Sequence, residues 1–61
     1  MLVRGELLEV SPDGFRIRHS SPELQPGLDV EVVYCGGEVK ARIVWRIEFG
    51  DHVESGFLLL R

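Results

Sequence analysis

Cysteine is nearly absent from this sequence. Cys35 stands alone among 61 residues, so no internal disulfide can staple the fold. Long apolar runs are missing as well. None approaches the roughly 20 residues needed to span a bilayer as a helix. Arg4 and Glu6 interrupt the segment from Met1 to Leu8, so no secretory leader is expected, and a cytoplasmic location follows as the default. A surplus of positive charge is lacking too. Seven Lys and Arg stand against ten Asp and Glu, a net charge of −3, which works against unspecific nucleic-acid binding because that depends on neutralising phosphates. His19 and His52 are not spaced as a metal pair, and one cysteine does not complete a site, so neither metal nor cofactor is expected. No nucleophile, base and oxyanion arrangement can be assembled, which leaves an enzyme the least supported reading.

What is present is period-two alternation. In Glu38 to Phe49, the residues Val39, Ala41, Ile43, Trp45, Ile47 and Phe49 alternate with polar neighbours, and Val44 alone breaks the pattern. Phe15, Ile17 and His19 alternate with Arg16 and Arg18, and Leu28, Val30, Val32 and Tyr34 alternate with Asp29, Glu31, Val33 and Cys35. The run from His52 to Leu60 is apolar at its end. In Met1 to Val10, the residues Leu7, Leu8 and Val10 do not share a face, which predicts a bulge or a helical turn. No segment has sustained helical periodicity.

The turns fall between these runs. Gly36-Gly37 and Gly50-Asp51 are hairpin signals. Pro12-Asp13-Gly14 is a turn with φ pre-set by Pro. Ser20 to Leu24 predicts a single capped helical turn, with Ser at the cap and Pro at the first helical position, and Pro26-Gly27 stops it. The expectation is one all-β domain over residues 1–61. It is a small antiparallel barrel of about five strands in meander order, open or closed, with one short helical turn. A domain this small buries only about 60% of the surface its unfolded chain exposes, so its stability should be modest.

The turn Glu9-Val10-Ser11-Pro12-Asp13-Gly14 resembles the Asp/Asn-x-Ser-x-x-Gly turn of PilZ domains, bacterial receptors of cyclic di-GMP. The resemblance extends in order along the chain. It runs through Gly5, Leu7, Glu9, Ser11, Gly14, Phe15 and Ile17, then Leu24 and Gly27, Val30 and Val32, Ala41 to Trp45, and Gly56-Phe57. It implies a PilZ-like barrel and a ligand turn at Glu9, Ser11 and Gly14. Two departures matter. The family's upstream Arg-x-x-x-Arg motif and first strand have no counterpart ahead of Gly5 in these residues, and Glu9 stands where Asp or Asn is usual. In the family those arginines clamp phosphates and guanine, through charge-assisted bonds worth roughly 1.5–3 kcal/mol each. The resemblance therefore implies a PilZ-like regulatory module in bacterial signalling that works through protein contacts rather than tight cyclic di-GMP binding. A true cyclic di-GMP receptor is the alternative. An edge left open by the missing strand implies a homodimer or a protein partner.

Other residues carry competing readings. Ser11 and Gly14 also suit a hairpin turn for backbone reasons alone. Trp45 falls by parity on the apolar face, as core. Cys35 beside Gly36-Gly37 lacks a basic or helix-terminal setting and reads as inert. Arg16, Arg18, Lys40, Arg42 and Arg46 all point outward by parity. They form either a basic stripe for an acidic partner or nucleic acid, or a solvated face balanced by Glu38 and Glu48, which is the preferred reading.

Overall fold

A computed structural model describes residues 5–34 and 36–60; Arg4 and Cys35, weighed above, lie outside them. Five antiparallel strands form one sheet: β1 (Gly5–Ser11), β2 (Gly14–His19), β3 (Asp29–Tyr34), β4 (Gly37–Phe49) and β5 (His52–Leu59). The all-β expectation holds, and the sheet is open: β1 and β3 are its two edges.

The spatial order is β1-β2-β5-β4-β3, which corrects the meander expected from the sequence. Two units, the hairpin β1-β2 and the three-stranded meander β3-β4-β5, are joined where β2 pairs β5, from Gly14 opposite Leu58 to His19 opposite Val53. The chain after His19 therefore leaves the sheet and re-enters at the far edge. The connection is held in two ways. Leu24 inserts into the core, and backbone bonds run from Gly27 N–H to the Ile43 carbonyl (2.7 Å) and from Ile43 N–H to the Leu28 carbonyl (2.9 Å). Gly27 takes φ +95°, a conformation that glycine adopts without strain. The helical turn expected at Ser20 to Leu24 is instead a hydrogen-bonded turn, Leu24 N–H to Ser21 carbonyl, followed by a second, Leu28 N–H to Gln25 carbonyl. A lone helical turn fixes several dihedrals for one hydrogen bond. Here the Gln25 side chain also donates to the Pro22 carbonyl at 2.6 Å, favouring the tighter local turn.

The core is small. Leu24, Ala41, Ile43 and Phe57 are buried, with Phe15, Ile17, Val30 and Val32 packed against them. Phe15 and Phe57 face each other across β2 and β5 and stack at 4.9 Å between centroids. Gly14 has a packing role as well as a turn role. A Cβ there would strike the Phe57 carbonyl, so only glycine lets β2 approach β5 this closely.

Two bulges set which residues face inward. In β1 the register shifts between Leu7 and Glu9, so Leu7 (opposite Ile17) and Val10 (opposite Phe15) share the inner face, as the irregular spacing suggested. In β4 the register shifts between Ile43 and Trp45. Ile43 pairs Phe57 on the inner face, Trp45 pairs Gly56 on the outer face, and Arg46 returns inward opposite the buried Ser55. This corrects two parity assignments: Trp45 is not core, and Arg46 does not point outward with the other cations. Val44, the one residue that broke the alternation, is the extra residue that inverts it.

Candidate functional site

The β4 bulge assembles a row across the outer face of four strands. Glu9 pairs Arg16, Arg16 pairs Gly56, and Gly56 pairs Trp45. Because Gly56 has no side chain, the Trp45 indole lies down on it; a Cβ there would run into the ring. Glu9, Ser11, Asp13, Gly14, Arg16 and Trp45 line one shallow cleft of about 270 Å³. The structure therefore brings the three turn residues together, and adds Arg16 and Trp45 beside them. The sequence reading missed Trp45 as part of this cleft. The break at Val44 was the available signal, since one extra residue reverses the face of everything after it.

The cleft's polar groups are unevenly satisfied. Ser11 Oγ donates to the Gly14 carbonyl at 3.3 Å, which spends the hydroxyl on the turn itself. Arg16 lies 3.9 Å from Glu54, and its buried Nε has no hydrogen-bond partner among the described residues. A buried N–H left so costs about 1–3 kcal/mol. Two carboxylates, Glu9 and Asp13, line the cleft against one guanidinium, so its charge disfavours a phosphate.

The outward cations are paired with carboxylates strand by strand. Arg18 approaches Glu6 at 3.6 Å. Arg42 holds Asp29 through two bonds, Nε to Oδ1 at 2.7 Å and Nη2 to Oδ2 at 3.2 Å. Those bonds keep the Asp29 carboxyl below the ordinary carboxylate range. Lys40 stands opposite Glu31. Among the described residues, the carboxylates that meet these cations are Glu6, Glu54 and Asp29, with Glu31 opposite Lys40 in the register, and not the expected Glu38. Glu48 meets Arg46, at 2.7 Å.

Arg46 instead belongs to a polar layer on the inner face. His19 is buried; its Nδ1 accepts from the Ser21 N–H at 3.1 Å, so its proton sits on Nε2, which donates to Ser55 Oγ at 2.7 Å. Burial pushes the His19 pKa down, the Arg46 charge pushes it further down, and Glu23 partly opposes both. A serine and a histidine at this distance could serve as nucleophile and base, but both side chains are sealed from solvent, so the pair is structural. His52 stacks on Phe49 at 5.0 Å and donates to Asp51 at 2.8 Å. Among the described residues no three His, Cys, Asp or Glu side chains converge as metal ligands would.

A second hollow opens on the inner side. Gly5 of β1 and residues 28–33 around β3 border a groove of about 420 Å³ floored by Ile17, Leu24 and Phe57. Nearby Leu7 and Val10 of β1, although on the inner face, are 58% and 66% exposed. No helix among the described residues is long and apolar enough to cross a membrane. No protein-family model, curated protein or solved structure matches this chain.

Proposed function

We propose that this chain is a PilZ-like interaction module that docks another polypeptide, or a second copy of itself, onto its open sheet. It would act in bacterial signalling, in a cytoplasmic setting, without catalysing a reaction. The observation that carries this reading is the groove between the unpaired edges β1 and β3, with apolar side chains at its floor. Edge strands present unpaired N–H and C=O groups, which template pairing with a further strand. The test is amide hydrogen exchange on the whole chain. Outward amides of β1 and β3 should exchange fast in dilute protein. They should be slowed about tenfold or more when a strand is bound or when light scattering reports a dimer. Fast exchange at both edges at every concentration, with every strand peptide offered, would remove the reading.

A second reading has one observation in its favour. The unpartnered Arg16 Nε and the flat Trp45 ring sit beside Glu9, Ser11 and Gly14, a setting that supports a planar base stacked in the cleft. Cyclic di-GMP is the ligand the family resemblance implies. The two carboxylates and the single arginine weigh against its phosphates. Calorimetry decides: saturable binding at micromolar concentration or tighter would reverse the order of the two readings. Nucleic-acid binding is placed third, because the outer arginines are matched by carboxylates; a gel shift that weakens with salt would restore it.

A further inference from the structure

The occupant of the groove can be specified by the charge on its two rims. β1 reads Gly-Glu-Leu-Leu-Glu-Val-Ser and β3 reads Asp-Val-Glu-Val-Val-Tyr. Together they carry four carboxylates, Glu6, Glu9, Asp29 and Glu31, and no cation. All the matching cations stand one strand further in: Arg18 opposite Glu6, Arg16 opposite Glu9, Arg42 opposite Asp29 and Lys40 opposite Glu31. Each edge carboxylate thus has a cationic neighbour on its inward flank and the unpaired edge of the sheet on the other; Asp29 and Glu31 also line the groove itself. A carboxylate has lone pairs to accept from both sides. The inner face of the same strip is apolar, floored by Ile17, Leu24 and Phe57 and bordered by Val30 and Val32.

Resting on the docking reading above, we propose that the groove takes an extended segment of another protein in which apolar residues alternate with Lys or Arg. On such a strand the apolar side chains point down onto the core while the cations point out between the carboxylates of β1 and β3. Successive side chains of a strand face opposite ways, so this pattern satisfies both faces at once. Opposite charges on neighbouring strands attract, and like charges directly opposite destabilise pairing. The same rule counts against a second copy of this chain as occupant, since pairing either edge with β1 or β3 of another copy brings carboxylate rows together.

The experiment is calorimetry with three synthetic peptides, each seven residues like β1. One alternates Val with Lys, one alternates Val with Glu, and one holds the Val and Lys of the first in two separate blocks. The alternating Val/Lys peptide should bind one to one, at least tenfold more tightly than either control. In the chain carrying both Glu9→Lys and Glu31→Lys, whose exposed positions leave the core untouched, the preference should move toward the Val/Glu peptide. Amide exchange run alongside separates the two levels. Equal binding of the Val/Lys and Val/Glu peptides with protected edges would overturn the basic-strand proposal while leaving the docking reading intact. Protected edges arising from self-association alone would do the same. Binding of the blocked peptide as tightly as the alternating one would reduce the effect to bulk charge and overturn it also. No binding and no protection would remove both.

Discussion

Val39, Ala41 and Ile43, in the first half of β4, face the apolar interior, whereas Trp45, Ile47 and Phe49, in the second half, face outward. Beneath the first half lies an apolar layer of Phe15, Leu24 and Phe57; beneath the second lies a polar layer of His19, Ser55 and Arg46. The side-chain types barely differ between the halves. The difference comes from one inserted residue, and it places hydrophobic side chains on the surface at the expense of an arginine under the sheet. The cost of a substitution should therefore depend on which side of Val44 it falls.

The largest effect separates Ile43 from Ile47. Ile43 is fully buried and Ile47 is half exposed. Ile43→Ala should cost about 2–5 kcal/mol, the range for a truncated core isoleucine, a large share of the stability of a chain this small; Ile43→Val, at about 0.5–1.5 kcal/mol, gives a milder variant to measure beside it. Ile47→Ala should stay within about 0.5 kcal/mol. Urea titrations of the three variants check this, and equal costs at the two positions would abolish the inversion. Next comes Gly56→Ala. The added methyl meets the Trp45 indole, whereas the same change at Gly14 meets backbone. Both should destabilise by about 1–3 kcal/mol. Only the Gly56→Ala defect should be relieved by adding Trp45→Ala, and only Gly56→Ala should red-shift the tryptophan emission.

How far the sequence could be read follows from the same bulge. The hairpin at Gly36-Gly37 was legible because glycine chemistry is local, and Gly37 does take φ +138°. The strands were legible because alternation is local too. The strand order was not. Nothing within β2 states that its second neighbour is β5 rather than β3, because that depends on Leu24 docking beneath the sheet some residues later. Nor was the face of Trp45, since a period-two pattern fixes only relative sides and a single residue of slippage reverses them. Of the site, Glu9, Ser11 and Gly14 were found through their turn. Arg16 reads only as one of five outward cations and Trp45 as core, although the two flank Gly56 in one row.

The polar layer under the second half should make stability depend on pH. His19 is neutral in the fold and its pKa is lowered there, chiefly by burial. Around the ordinary histidine value of about 6.5 the unfolded chain then binds the proton more readily than the folded chain, so stability rises with pH in that window. It should fall as the pH drops below about 6.5 and level off once the folded form also protonates. Asp29 and Asp51, whose pKa values are lowered by bonds from Arg42 and His52, act in a separate window. Their contribution is present above the usual carboxylate range near 4 and is lost as pH falls through their folded values. Urea midpoints from pH 7.5 to 5 should therefore decline in the native chain and stay flatter in His19→Gln. Ser55→Ala, which strands the His19 Nε2–H, should cost about 1–3 kcal/mol at pH 7.5; no cost would mean the bond contributes nothing.

The smallest effect contrasts two arginines four residues apart on one strand, which uninterrupted alternation would put on the same face. Arg42 lies outside, in an exposed pair with Asp29, and pairs of that kind add little to stability. Arg46 lies inside, its side chain only 14% exposed and its Nε without a partner among the described residues. Replacing a buried charge by an apolar chain of similar length is often neutral or stabilising. Arg46→Met should therefore leave the urea midpoint at pH 7.5 unchanged or raise it, and Arg42→Met should leave it nearly unmoved. The acid branch tells the two apart. Arg46 is one of the charges holding the His19 pKa down, so Arg46→Met should let that pKa rise toward its ordinary value and make the loss of stability below about pH 6.5 shallower. Arg42→Met should leave that slope as it is. If both arginine variants kept the native pH slope, Arg46 would not be coupled to His19, and the second half of β4 would not differ from the first in the way the register places it.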